Sequence, residues 1–529
     1  MRTILITLDS LNRHFLSPYG GPVEMPAMDA LAAEGAVFTK HFTASAPCMP
    51  ARRELMTGTL ELRHRGWGPL EPFDRTLPAM LGEAGVPSMM VTDHYHYFEK
   101  GGENYHTDFT GYELIRGHEN DNWKTNNYPA EEVSPLSRTT PAYERARQTF
   151  RTAKDFPTAK TFSTAEAWAK ENRDTESFFL YIDEFDPHEP FMVPDEYLAR
   201  VEDGDKDYGG PRLDWPRYGD WQGTDTEIRH VRKRYTAKLL FLNDCLESFF
   251  ATLKELDMYN DTTIILATDH GHYLGEHGKV GKPAADNWNT LFHIPMVVKP
   301  AAGLTAGKPA AAGAGAPDRA HGGSAAGQGR PAGAGRRVDA LTTTPDICAT
   351  ILDLHGLKID TAAYGRSFLP LVTGEADATR DYVLYGYFGG QLGYCDGTYT
   401  YFRSPVKDNE PLFYYTTRLT THPGRTNRFA KWFAEAEGVE LGRYMDGVDY
   451  PVFKIPIPTG RPEARNYDRY MEDTLFSLED DQAQENPIRD SDLVAQYRAH
   501  LHAAMVNERF PREQFERLGL GTPEPGEKA

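Results

Sequence analysis

The sequence predicts an α/β protein: a large domain on a mainly parallel, mixed sheet sandwiched by helices, followed by a smaller α+β domain. Three observations carry this. Short continuous apolar runs, Ile4 to Leu8, Phe178 to Ile182 and Thr262 to Thr268, read as strands buried on both faces. The first and last of them run into an aspartate, Asp9 and Asp269, and open α/β sheets take ligands in the crevice at such strand ends. Beyond Gly374 the chain changes to dense aromatics with strand-like alternation. With 529 residues the chain is too long for one core, and it divides into 1–378 and 379–529.

In chain order, the first strand ends in Asp9-Ser10. Residues 28 to 35 form a helix with a glycine stop, and Ala36 to His41 form a strand leading into Ala46-Pro47-Cys48-Met49-Pro50-Ala51-Arg52. Proline bars this segment from a helix interior, while Leu55 and Met56 place a helix start near Arg52, with Cys48 at or just before the N-terminus. Donor N–H groups there face an anion on residue 48, and Arg52, about one turn on, returns its guanidinium to the same place. A helix over 77–84 and a strand over 88–92 follow, ending in Asp93-His94-Tyr95-His96. Residues 104–175 read as an irregular insertion that walls the pocket.

The apolar strand Phe178 to Ile182 leads on to Asp186-Pro187-His188-Glu189-Pro190, whose prolines fix where the imidazole points. Periodicity predicts a long helix over about 227–256. After the strand 262–268, Asp269-His270 sets a hard oxygen ligand beside an imidazole, a metal-site arrangement, and Lys282 follows a glycine-rich turn. A strand is expected at 295–299, a disordered Ala/Gly-rich loop at 301–337, a helix at 338–354, a hairpin at Asp396-Gly397, and a closing helix at about 490–507.

The formal charge of −20 argues against nucleic acid, anionic membranes or sulfated polymers as surface-bound partners. Any anionic substrate must therefore enter a local basic pocket. Four scattered cysteines form no CxxC pattern and fit a reducing compartment. The leading apolar run is too short for a signal-peptide core, and no stretch approaches the ~20 apolar residues of a membrane span. A cytoplasmic protein is expected.

On these residues the chain resembles the type I, formylglycine-dependent sulfatases of the alkaline phosphatase superfamily. The resemblance rests on the Asp9 strand end, the C-x-P-x-R helix of Cys48 and Arg52, Pro187-His188-Glu189-Pro190, and Thr268-Asp269-His270-Gly271 with Lys282. It implies an alkaline phosphatase-like fold and hydrolysis of a small anionic ester, a sulfate ester in the first reading. It also implies conversion of Cys48 to Cα-formylglycine by a generating enzyme. One divalent cation is implied on Asp9, Asp269, His270 and residue 48, calcium first, with manganese or magnesium as alternatives. Arg52 would orient the modified residue, and His188 and Lys282 would hold the ester oxygens.

Two departures stand out. Ser10 replaces the second aspartate many sulfatases carry. In place of the usual Gly-Lys-Trp-His, an ungapped count puts Asp93 under the lysine and Tyr95 under the histidine, whereas a one-residue shift offers His94 and His96. Phosphonate monoester hydrolases share these departures, so phosphonate or phosphate diester hydrolysis is the alternative. A catalytically silent binding relative is the third reading, and the oligomeric state is left open.

Overall fold

The computed structural model describes residues 1–99, 101–283, 287–304, 335–359, 363–419, 437–457 and 471–522. An eight-stranded sheet runs in the order Arg336–Thr343, Ala36–Phe42, His293–Lys299, Thr262–Ala267, Arg2–Leu8, Phe178–Glu184, Ser88–Thr92, Gly111–Leu114. Only His293–Lys299 is antiparallel to its neighbours; every other pairing is parallel. The central strand therefore lies parallel between two others, with Thr7 beside Asp183 on one side and Ala267 on the other. That register brings Asp9, Asp183 and Asp269 to one edge of the sheet.

Alternation along the central strand divides the core. Ile4, Ile6 and Leu8 face the helices Pro26–Glu34, Pro157–Glu171 and Asp225–Glu255, while Leu5 faces Cys48–Thr57, Leu77–Glu83 and Thr344–Leu354. Both faces are covered, which is why these strands read as continuous apolar runs. The long helix opens on a Thr224/Glu227 capping box.

Three expectations are corrected. The segment expected to be helical from 338 is an edge strand, Arg336–Thr343, through Thr343, because its β-branched residues pair with Lys40–Phe42; the helix Thr344–Leu354 starts only where Thr343 and Asp346 form a capping box around Pro345. The helix expected near Arg52 starts at Cys48, since Pro50 falls in its first turn, where a missing N–H costs no hydrogen bond. The insertion 104–175 is not irregular: it supplies the edge strand Gly111–Leu114 and the helices Pro141–Arg147 and Pro157–Glu171. Most of the Ala/Gly-rich loop, 305–334, lies outside the described residues.

The sheet-rich C-terminal part is built on five strands, Asp473–Ser477, Tyr399–Arg403, Leu392–Cys395, Val383–Tyr387 and Ser45–Ala46. The hairpin at Asp396-Gly397 forms as expected, with the Asp396 carboxylate accepting from Thr398 and Tyr399 N–H at 2.9 Å each. Its last strand comes from the N-terminal part, two residues before Cys48, and runs parallel to Val383–Tyr387. The closing helix Ser491–Asn507 is present and is followed by Arg512–Arg517.

Candidate active site and metal centre

Cys48 opens a helix whose ten residues are all buried. Its Sγ lies 3.0 Å from Lys282 Nζ, 3.3 Å from His270 Nε2 and 4.0 Å from Asp9 Oδ1. One ligand atom each from Asp9, Cys48, Asp269 and His270 lies within 4.8 Å of the others. These residues sit at two adjacent strand ends and one helix start, so the sheet register itself assembles them. The His270 Nδ1–H donates to the Gly271 carbonyl at 2.8 Å, which leaves Nε2 facing Cys48 and Asp269. Only glycine fits beside it, because a Cβ at residue 271 would stand 1.9 Å from the Thr290 carbonyl oxygen.

Ser10 holds a left-handed backbone conformation, φ +64°, and this turns its N–H onto Asp269 Oδ1 at 3.1 Å while its hydroxyl donates to Asp9 Oδ1 at 2.7 Å. Asp9 Oδ2 is buried and accepts no hydrogen bond; it meets Arg52 Nη1 at 3.0 Å as an ion pair. A carboxylate oxygen left open beside an imidazole lone pair and a second carboxylate is the donor set a divalent cation takes. The residues fit one.

Arg52 has no exposed surface. Nη1 bridges Asp9 and Asp269, while Nε and Nη2 fork onto Asp183 at 3.2 and 2.9 Å. Asp183 was not singled out from the sequence, although its place after an apolar run matched that of Asp9 and Asp269. Burial alone would raise the Asp9 carboxyl, but Lys282 and Arg52 outweigh it and hold it well below the usual carboxylate range. Burial would lower Lys282, yet the acidic groups around it, the Asp9 carboxylate among them, outweigh burial and hold it well above the ordinary value.

His188 gives its Nδ1–H to its neighbour's carbonyl, Glu189 O, at 2.5 Å. Burial and then Lys282 push its imidazole well below the ordinary value, so it is neutral. Of the four residues expected after the fourth strand, His94 reaches the centre: its Nε2 lies 3.8 Å from Asp9 Oδ2, and both ring nitrogens are buried without a hydrogen bond. Asp93, expected to bind substrate, instead turns its carboxylate to the Phe185 N–H, which it accepts at 2.7 Å on the side of Asp186 and Glu184. Tyr95 and His96 stand one layer out around Glu119, at 3.0 and 3.5 Å. Burial would lower His96, but Glu119 and Glu99 raise it to about 9.

The family model for sulfatases matches residues 2–357. The chain belongs to the sulfatase family. Among curated relatives it is 27% identical over 414 residues to PehA of Trinickia caryophylli, a multifunctional alkaline phosphatase superfamily protein, covering 66% of this chain and 71% of that one. It is 24% identical to human iduronate 2-sulfatase, where the match spans 56% of this chain and 59% of the relative. In fold it is similar to the phosphonate monoester hydrolase of Agrobacterium radiobacter, with TM-score 0.63 and 17% identity over 96% of this chain and 95% of that one. A structure solved with its substrate D-glucosamine-2-N,6-O-disulfate gives TM-score 0.60 and 14% identity, covering 98% of each chain.

The sulfatase has the alkaline phosphatase-like fold, and the family match together with the sulfatase relatives supports hydrolysis of sulfuric esters. Its Cys48 thiol is pushed well up by burial and by Asp9, against Lys282. A buried thiol held neutral is a poor nucleophile.

Proposed function

We propose that this sulfatase hydrolyses sulfate esters at residue 48, after conversion of Cys48 to formylglycine, with one divalent cation on Asp9, Asp269, His270 and residue 48. The convergence of Lys282, His270 and Asp9 on Cys48 Sγ, within C-x-P-x-R, carries this reading. A bound cation supplies positive charge that acidifies a hydroxyl and steadies the anionic transition state, and a hydrated aldehyde at residue 48 supplies the hydroxyl a thiol lacks. The chain's own residues do the rest. Arg52 fixes both carboxylates of the metal group, and Lys282 holds a permanent positive charge 3.0 Å from the reacting atom. His188 and His94 present neutral imidazoles to the same space.

Calcium is the first choice of metal; manganese and magnesium stay as alternatives because Ser10 leaves only two carboxylates in the ligand group, which loosens the preference for calcium. A generating enzyme is the implied partner in maturation, and a reducing, cytoplasmic location is part of the same proposal, supported by four free cysteines. Phosphonate monoester or phosphate diester hydrolysis is the second reading, favoured by Ser10 and by His270, which stands where many sulfatases have asparagine. The test compares an aryl sulfate, a phosphonate monoester and a phosphate diester on matured protein, with mass spectrometry of the peptide carrying residue 48. Formylglycine at that residue and the highest kcat/KM on the sulfate are expected. A phosphonate or diester kcat/KM above that of every sulfate promotes the second reading, and an active enzyme with an intact thiol ends the formylglycine proposal. Asp269→Ala should lower bound metal as read by elemental analysis, and chelation should stop turnover.

A further inference from the structure

The insertion carries a guanidinium that, among the described residues, is held only by aromatic rings. Arg138 is half-buried, with its Cζ 4.6 Å from the centre of the Trp215 ring and 5.5 Å from that of Tyr218. Its guanidinium makes no hydrogen bond or ion pair among the described residues. The nearby Arg116, Arg147 and Arg212 each hold a carboxylate, Asp121, Glu131 and Glu144 respectively. Stacking on aromatic faces leaves the in-plane donors of a guanidinium open, and that planar fork matches a carboxylate or sulfate.

A purely structural clamp does not explain it. Backbone bonds already tie the two segments: Ser134 N–H to Arg212 O at 2.9 Å, Arg138 N–H to Trp215 O at 2.6 Å, and Arg217 N–H to Leu136 O at 2.9 Å. Each neighbouring acid already accepts a hydrogen bond from a tyrosine, Glu119 from Tyr95 and Glu189 from Tyr218, although Glu189 Oε2 accepts none. Arg138 nevertheless lies close enough for its charge to act on both Glu119 and Glu189.

The position relative to the chemistry is set by Tyr218. Its ring covers Gly281 so closely that a Cβ there would stand 2.2 Å from Cδ1, and the next residue is Lys282, which contacts Cys48. The Tyr218 ring thus meets the Arg138 guanidinium and also the backbone next to Lys282, whose ammonium contacts Cys48.

We infer that Arg138 binds a second anionic group, a carboxylate or a sulfate, on the organic part of the substrate, so that the preferred ester is doubly charged. This rests on the proposed sulfate-ester site. The net charge of −20 means that a second negative charge gains nothing from the general field. Any gain must come from a local cation.

Titration calorimetry on the full chain tests this without turnover. The probes are benzenesulfonate, its 3- and 4-carboxy derivatives, and benzene-1,3-disulfonate. At least one doubly charged probe should bind about tenfold tighter than benzenesulfonate, the scale of one charge-assisted contact. Which of them gains separates carboxylate from sulfate. The ratio should fall to about one in Arg138→Ala and Arg138→Gln and be partly restored in Arg138→Lys. Because it is a ratio, residual benzenesulfonate binding reports that the site is still folded. Equal affinities in the unaltered protein, or a ratio kept in both neutral variants, overturns the inference. Phenyl sulfate turnover is measured separately, so turnover without any gain from the second charge removes this inference alone.

Discussion

Arg52 holds Asp183 with one edge of its guanidinium and Asp9 and Asp269 with the other, all fully buried. Removing one partner of such a group leaves an uncompensated charge in the interior, so Asp183→Ala should cost about 3 to 5 kcal/mol in urea unfolding. It should also lower kcat/KM, because the fork would no longer fix the metal carboxylates. A loss below about 1 kcal/mol would show that the pair is not needed. His94→Ala should reduce kcat/KM on an aryl sulfate at least about tenfold, the scale of a lost charge-stabilising or proton-handling group. Tyr95→Phe should change it only a few-fold, and the reverse order would restore the ungapped alignment. Arg52 was legible in the sequence because its spacing from Cys48 is local. Asp183 was not, since its role exists only through the pairing of Thr7 with Asp183 across two distant strands. The choice between Asp93 and His94 depended on the turn after the strand, where the Phe185 N–H takes Asp93 away from the centre.

At the scale of elements, the Cys48–Thr57 helix is held at both ends. Gly58 ends it at φ +69°, and a Cβ there would meet Ile359 Cδ1 at 2.2 Å. Gly58→Ala should therefore cost more than about 1 kcal/mol and lower Tm; an unchanged melt would mean that the cap gives way freely. Within the helix, Glu54 accepts the Ser45 N–H at 2.9 Å, the Ser45 hydroxyl and the Glu61 N–H at 3.0 Å. Burial outweighs these bonds and raises its carboxyl to about 8. For an acid raised on folding, the native state binds the proton more tightly than the unfolded chain. Stability from this group is whole below about pH 4.5, falls as pH climbs, and levels off above about 8. Glu54→Gln should flatten the stability profile across that window, and an unaltered slope would assign it to other groups. The helix was legible, but not its start at Cys48, because proline reads as a breaker until its place in the first turn is known. The strand at 336–343 was hidden by the helical pattern that follows it.

Taken as a whole, the chain closes on itself behind the site. The strand Ser45–Ala46, two residues before Cys48, belongs to the C-terminal sheet, with the Gly386 N–H donating to Ala44 O at 2.9 Å. Tyr387 donates its hydroxyl to the Lys282 carbonyl at 3.1 Å, and Asn287 donates to the Tyr385 and Gln391 carbonyls at 3.2 and 2.9 Å. One apolar cluster joins Phe42, Ala46, Tyr273 and Phe292 from the first part to Val383, Tyr385 and Phe402 from the second. Across the same contact, Arg380 pairs with buried Asp346. The change in composition after residue 374 made a second unit legible, but a two-residue strand has no periodicity, so its membership of that unit's sheet could not be read. We propose that the division at 378/379 is one of topology and not of independent folding. A chain ending at 378 would leave the Ser45–Ala46 backbone unpaired and the faces of Phe42 and Phe292 uncovered, beside the two residues that meet at the reacting atom. Such a chain should aggregate or lose its cooperative melt, and turnover with it, while the full-length protein should melt in a single transition by calorimetry. A soluble 1–378 fragment with its turnover retained would mean that the large sheet positions Cys48 and Lys282 without help from the C-terminal strands.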